Sequence, residues 1–125
     1  MYYGRKRNKY GNKKVKKDDI VFDSIAERDR YIYLKQKEDA GLIKDLQLQV
    51  KYLLQEKFIY KGKTIREINY IADFEYIDAN GTSIVEDVKG IETAEFKLKA
   101  KLFKYKYREK MFYIVKKSGS GWTMD

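Results

Sequence analysis

Residues 71–90 restrict the fold more than any other stretch, because a strong turn signal joins two segments rich in hydrophobic residues. Asn80-Gly81 favours a tight hairpin, since both residues tolerate positive φ. The first predicted strand carries Asp73, and the second carries Asp87 and Lys89. Side chains two residues apart on a strand point to the same face, so Asp87 and Lys89 share a face, and the paired strand can bring Asp73 beside them.

These charged side chains have hydrophobic neighbours, which places them in or near a core, where a charge needs a partner or a metal. Two carboxylates on neighbouring strands form a site for Mg²⁺ or Mn²⁺, with the Val88 carbonyl as a further oxygen. Lys89 can stabilise charge that develops on a phosphodiester or on an attacking hydroxide. The alternative is an ordinary ion pair between Asp87 and Lys89, with Asp73 paired to a basic residue such as Lys51.

Two further acidic residues lie near the predicted ligands, and the alternation of side chains along a strand predicts different roles for them. Glu86 points to the face opposite Asp87, so we predict a structural role for it. Glu75 shares the face of Asp73 and is a candidate peripheral ligand.

The absence of histidine and cysteine excludes disulfides, zinc clusters, thiol nucleophiles and catalytic triads. A net charge of +9, from 28 basic and 19 acidic residues, predicts a polyanionic partner, most simply nucleic acid, with an acidic membrane surface as the weaker alternative. No apolar run approaches the roughly 20 residues that span a bilayer, and no apolar segment follows the basic N-terminus. We therefore expect a soluble, cytoplasmic protein without a secretion signal.

The periodicity predicts one domain at residues 20–117, between a flexible basic arm at 1–19 and a loose tail at 118–125. Ser24 and Glu27 have capping-box spacing and open a predicted helix that ends before Gly41. Helices are predicted at 25–40 and 93–110, an extended segment with a turn at 58–63, and strands near 46–54, 67–77, 82–89 and 111–115. This order predicts an α/β sandwich around one mixed sheet.

Basic and polar side chains outside the hairpin are predicted to contact phosphates rather than bases. They are Arg5, Lys6, Arg7, Lys13 and Lys14 in the arm, Gln47 and Lys51 on the first long strand, and Lys97, Lys99, Lys101 and Lys104 on the second helix. Gln49 is a further candidate for positioning phosphate or water. The alternatives are a solubilising tail, an exposed polar edge and a solvated helix face, respectively.

The sequence Tyr-Ile-Ala-Asp-Phe-Glu-Tyr at 70–76, followed by Val-Glu-Asp-Val-Lys-Gly at 85–90, resembles the motif of the PD-(D/E)xK nuclease superfamily. Within that superfamily the chain is similar to small phage and archaeal Holliday-junction resolvases, over roughly residues 20–115. Ala72 stands where the name-giving motif has proline. The resemblance implies a restriction-endonuclease-like αβββαβ core, with a mixed central sheet flanked by helices.

The resemblance also implies an Mg²⁺-dependent, structure-selective DNA endonuclease, with Mn²⁺ as a substitute, that acts on branched DNA in phage recombination or packaging in a bacterial host cell. It implies that Asp73, Asp87, Lys89 and Glu27 are catalytic, and that Glu27 helps to bind the metal directly or through water. A helix cap on Ser24 is the alternative for Glu27. Two symmetric cuts in a four-way junction predict a homodimer. The alternative function is a non-catalytic nucleic-acid-binding protein that keeps the fold.

Overall fold

The computed structural model describes residues 14–125, which form two helices and three sheets. In chain order the elements are β1 (Val15–Lys17), β2 (Ile20–Phe22), α1 (Ile25–Asp39), β3 (Lys44–Gln55), β4 (Phe58–Tyr60), β5 (Lys63–Ile65), β6 (Ile68–Ile77), β7 (Ser83–Val88), α2 (Ala94–Lys106), β8 (Met111–Ser118) and β9 (Gly121–Met124). The main sheet has the order β3-β6-β7-β8-β9, in which only the β7–β8 pair is parallel. The predicted α/β class and mixed sheet are confirmed.

The two helices cover opposite faces of this sheet and build two hydrophobic clusters. The α1 cluster consists of Ile20, Phe22, Tyr31, Leu34, Ile43, Phe74, Tyr76 and Ile84. The α2 cluster consists of Tyr52, Tyr70, Ala72, Val85, Phe96, Ala100 and Phe103. Ile84 and Val85 are neighbours on β7 and therefore point to opposite faces. Their membership in different clusters shows that β7 is buried on both sides.

Strands β3 and β6 both change the face that they present to the two clusters. On β3, Leu48 packs against the α1 cluster and Val50 against the α2 cluster. On β6, Ala72 belongs to the α2 cluster and Phe74 to the α1 cluster. Regular alternation would keep each pair on one face. The residue between the members of each pair, Gln49 on β3 or Asp73 on β6, therefore lies where the sheet surface changes direction.

Helix α2 ends earlier than residue 110, where the sequence pattern placed its end. Its N-cap is Thr93, whose hydroxyl accepts a hydrogen bond from the Phe96 N–H at 3.1 Å. Tyr107 leaves the helical conformation at φ −113°, and its N–H bonds the Phe103 carbonyl. The Tyr107 hydroxyl donates to the Leu53 carbonyl at 2.9 Å. This side chain therefore ties the end of α2 to β3, and the chain then turns towards β8.

The predicted loose tail at 118–125 is wrong, because residues 121–124 form β9. Ser118 pairs with Gly121, and Gly119 adopts a φ of +59° in the intervening turn. The Trp122 ring lies 6.5 Å from the Tyr33 ring and 5.2 Å from the Arg30 guanidinium. Packing against α1 therefore orders a segment whose serine and glycine content suggested a loop.

The predicted arm at 1–19 extends too far along the chain. Residues 1–13 lie outside the described residues, but Val15–Lys17 pair with Ile20–Phe22. Asp18 and Asp19 form the turn between them with φ of 53° and 62°. Val15 packs against the α1 cluster. The folded domain therefore includes residue 15. In the part of the chain from residue 14 onward, no helix has the length and apolar character needed to cross a membrane.

Candidate functional site

Asp73 lies where β6 and β7 stop pairing. Their register runs from Phe74 opposite Glu86 to Ile77 opposite Ser83, and so ends just before Asp73 would face Asp87. Instead, the Val88 N–H donates a hydrogen bond of 2.8 Å to Asp73 Oδ2. The carboxylate replaces a backbone partner at this point and is fixed across the end of β7.

Asp87 is almost completely buried, with 2% of its surface exposed. The Tyr70 hydroxyl donates a hydrogen bond to Asp87 Oδ2, and Lys89 Nζ lies 3.3 Å from Oδ1. Burial raises the pKa of Asp87 well above its ordinary value, and the nearby Asp73 carboxylate raises it further. The Asp73 carboxylate, which accepts from the Val88 N–H, is a close neighbour of Asp87. The two predicted acidic residues are therefore brought together, and the ionisation of Asp87 is opposed by burial and by the charge of its neighbour.

Lys89 balances part of this negative charge. Its ammonium pairs with Asp87 and lies 4.5 Å from the centroid of the Phe96 ring on α2. Burial alone would lower the pKa of Lys89, but the Asp87 and Asp73 carboxylates outweigh it and raise the pKa above its ordinary value. Lys89 is therefore held as an ammonium, which suits a charge-stabilising role rather than that of a general base.

Glu27 reaches the same place from the first turn of α1. Its N–H donates to Ser24 Oγ at 3.0 Å, and its Oε1 accepts the Asp23 N–H at 3.3 Å. The Gln49 amide donates both to Glu27 Oε2 at 3.3 Å and to Asp73 Oδ1 at 3.2 Å. Glu27 can therefore take part in the helix cap and also lie near the site, because Gln49 links its carboxylate to Asp73. The metal role of Glu27 stays a prediction.

The backbone of Gln49 has a φ of +54° at this bridging position. This is the left-handed region, which residues other than glycine and asparagine seldom adopt. The residue lies at the change of face on β3. Its amide is thereby directed to a carboxylate on each side. The sequence pattern predicts Gln49 only as a contact for phosphate or water, and the structure adds this bridging role.

The chemistry of the donor set suits a hard divalent cation. Asp73 and Asp87 are neighbouring carboxylates, and a cation between them would offset their repulsion. Among residues 14–125, no three acidic side chains converge closely enough to bind one ion together. Further oxygens must come from water or backbone, and the Val88 carbonyl stays a predicted ligand.

Other predicted nucleic-acid contacts lie outside this cluster. Gln47 faces Glu75 in the β3–β6 register. Lys51 lines a groove of about 410 Å³ with Leu53, Glu56, Lys57, Glu67 and Asn69. Lys97, Lys101 and Lys104 are exposed on α2, and Lys99 pairs with Glu95 at 3.2 Å. Lys14 pairs with Asp23 at 2.8 Å, and Arg5, Lys6, Arg7 and Lys13 lie outside the described residues.

The two neighbouring acidic residues have partners of their own. Glu86 is buried and accepts two hydrogen bonds of 2.7 Å from Arg30 and a further one from Tyr76, which confirms its structural role. Glu75 accepts from Lys110 at 2.6 Å, from Ser83 at 3.0 Å and from Tyr52. Its carboxylate is therefore engaged with three donors beside the α2 cluster.

Together these features define a class: an α/β domain with a paired buried carboxylate and an ammonium at the end of a central strand. The chain belongs to the family described as "Protein of unknown function (DUF1064)", whose model matches residues 7–119. None of the curated proteins matches the chain. The crystal structure of SSO0001 is similar at 16% identity with a TM-score of 0.46, over 78% of this chain and 48% of that chain. The chain thus spans about half the length of SSO0001.

Proposed function

We propose that the protein is a metal-dependent DNA endonuclease that cuts branched DNA. The observation that carries the proposal is the placement of the Asp73 carboxylate on the Val88 N–H beside the buried Asp87, with the Lys89 ammonium 3.3 Å from Asp87, in a chain of net charge +9. Residues 70–76 and 85–90 resemble the motif of the PD-(D/E)xK nucleases. This resemblance, which implies their restriction-endonuclease-like core, also supports an endonuclease function.

In this proposal Asp73 and Asp87 hold Mg²⁺, or Mn²⁺ in its place, with the Val88 carbonyl as a further ligand and Glu27 assisting through water. The bound cation supplies Lewis-acid polarisation of the phosphodiester and acidifies bound water. Lys89 remains protonated and stabilises negative charge on the phosphate.

Two further residues position the acid pair. Gln49 fixes the orientation of Asp73 and is itself fixed by Glu27. Tyr70 fixes Asp87 through its hydroxyl. Both act through another residue, in the way that outer partners orient metal ligands.

The DNA would pass along α2, where exposed lysines can neutralise phosphates without recognising bases. This favours selection by DNA structure rather than by sequence. Paired cuts in a four-way junction require a homodimer with two symmetric sites. Such an enzyme would serve phage recombination or packaging in a bacterial host.

A non-catalytic nucleic-acid-binding protein is the second candidate. It is favoured by the internal satisfaction of the site, since no buried side-chain nitrogen or oxygen within residues 14–125 is without a hydrogen-bond partner. Such a protein would bind DNA without regard to Asp73, Asp87 or divalent metal.

The test is nicking of labelled four-way junction, flap and linear duplex DNA by purified protein with Mg²⁺. We expect nicking of the junction by wild type, and a loss of at least about a hundredfold in Asp73→Ala and Asp87→Asn. Asp45→Asn, at an exposed carboxylate at the start of β3, is the matched control and should cut as wild type does. Absence of nicking by wild type, or unchanged nicking by Asp87→Asn, would favour the second candidate.

A further inference from the structure

The β4–β5 hairpin is a separate structural unit that extends the chain beyond the ends of β3 and β6. It forms its own two-stranded sheet, and every residue of both strands is exposed. Lys61 and Gly62 have φ of 51° and 76°, the pattern of a tight two-residue turn. The hairpin is therefore a defined ribbon rather than an irregular loop.

Large apolar side chains on this ribbon face solvent. Phe58 pairs with Ile65, and Tyr60 pairs with Lys63, so Phe58, Tyr60 and Ile65 share one face. Their exposed fractions are 43%, 59% and 38%, and Ile59 on the other face is 72% exposed. None of them belongs to the α1 or α2 cluster. A contiguous exposed apolar set of this kind marks an interaction surface.

The same ribbon is basic throughout. Residues 57–66 contain Lys57, Lys61, Lys63 and Arg66 and no acidic residue. Lys61 Nζ lies 5.5 Å from the centroid of the Tyr60 ring. Exposed rings beside cations are the chemistry that binds unpaired nucleotides, since rings stack on bases while ammonium groups contact phosphates. A second copy of the hairpin is a poor partner, because it would bring like charges together.

We infer that the β4–β5 hairpin binds unpaired nucleotides of a DNA substrate, with Phe58 and Tyr60 stacking on bases and Lys61 and Lys63 contacting phosphates. The choice of DNA rests on the proposed nuclease function. Ile68, where β6 begins, is about 17 Å from Asp73 at roughly 3.3 Å per residue. At about 3.4 Å per base pair of duplex DNA, this corresponds to about five base pairs. The hairpin therefore lies beyond a duplex length of about five base pairs from the acid pair.

The test compares binding of fluorescent single-stranded DNA and of a fully paired duplex in EDTA, using the full chain. We expect Phe58→Ala with Tyr60→Ala to weaken single-strand binding at least about fivefold while changing duplex binding less than about twofold. Lys61→Gln with Lys63→Gln should reduce the slope of log affinity against log salt by about 1.4 on single strands.

Leu42→Ala and Lys44→Gln are the matched controls, since they remove an exposed apolar and an exposed basic side chain near the opposite end of β3. Both should bind as wild type does. Thermal midpoints of all variants should be unchanged, because the hairpin lies outside both clusters.

Wild-type affinity in both hairpin variants overturns the inference, and so does absence of DNA binding by wild type. Conversion of a dimer to a monomer in the hairpin variants, with single-strand affinity kept, assigns the surface to a second copy and also overturns it. Because binding is measured without metal, absence of nicking would reject the proposed nuclease while leaving the hairpin result intact.

Discussion

Asp87 is held in the folded protein in a state that opposes its own ionisation. Its pKa is raised by burial and by Asp73, so the carboxyl binds its proton more tightly in the folded than in the unfolded chain. Its contribution to stability is therefore present below the unfolded pKa and is lost as the pH rises through the folded pKa. At a pH above the unfolded pKa, the buried Asp87 therefore costs the folded state stability.

Asp87→Asn should therefore raise the thermal midpoint in EDTA at neutral pH, by about 3 °C or more, because it removes this penalty and keeps the shape. It should also abolish the increase in midpoint that Mg²⁺ or Mn²⁺ gives to wild type, since a ligand that binds only the folded state stabilises it. Scanning calorimetry with and without metal measures both effects. Asp45→Asn should show neither, and a lower midpoint of Asp87→Asn in EDTA would contradict the account.

Lys89 is expected to act on the rate of cleavage rather than on the affinity for DNA. Lys89→Met keeps an unbranched apolar side chain beside Phe96 but removes the ammonium, so the cleavage rate should fall about 10² to 10³-fold. Lys97→Met, at an exposed position on α2, should weaken binding with little change in rate at saturating protein. Single-turnover kinetics separate the two quantities. An equal loss of rate in both variants would rule out a specific role for Lys89.

Much of the site could be predicted at this scale because it depends on strand parity and one turn. Asp73, Asp87 and Lys89 meet as the hairpin around Asn80-Gly81 requires. Tyr70 could not be assigned, because regular alternation puts it on the face of β6 opposite Asp73. The change of face at Asp73 depends on how β6 packs between two helices, and a single sequence does not show it.

At the scale of elements, β9 shows how packing orders a segment of weak intrinsic preference. Gly119-Ser120 is a two-residue hairpin signal, although the surrounding serine and glycine content suggested a loop. What secures the strand is the contact of Trp122 with Tyr33 and Arg30 on α1. That contact joins residues distant in sequence, which is why local pattern did not reveal it.

Trp122→Ala should lower the free energy of unfolding by about 1 to 3 kcal/mol, because the ring is half-buried and its removal also exposes the side of the Arg30–Glu86 pair. Urea denaturation followed by circular dichroism measures the change. Thr123→Ala, at an exposed position of the same strand, should cost much less. Equal stability of the two variants would mean that the contact of Trp122 with α1 does not stabilise the fold.

At the scale of the whole molecule, the sheet separates the lysines of α2 from those of α1 and of the start of β3, so a DNA duplex cannot contact both sets equally. Asp87 and Lys89 lie on the side of α2, since Lys89 packs on Phe96 and Asp87 accepts from Tyr70 of the α2 cluster. Lysines on α1 and at the start of β3 belong to the other helix and the far end of the sheet. If DNA is cut at the acid pair, phosphates must be neutralised mainly on the α2 side.

Replacing Lys97, Lys101 and Lys104 together with glutamine should therefore reduce the salt slope of duplex binding by about 2.7, or about 0.9 for each lost phosphate contact. Replacing Lys35, Lys37 and Lys44 gives a control with the same net charge, 9 − 3 = +6, and should leave the slope nearly unchanged. Fluorescence anisotropy at several salt concentrations in EDTA measures both slopes. Equal reductions would mean that the net charge alone attracts DNA, whereas a reduction confined to the α2 variant places the duplex beside Asp87.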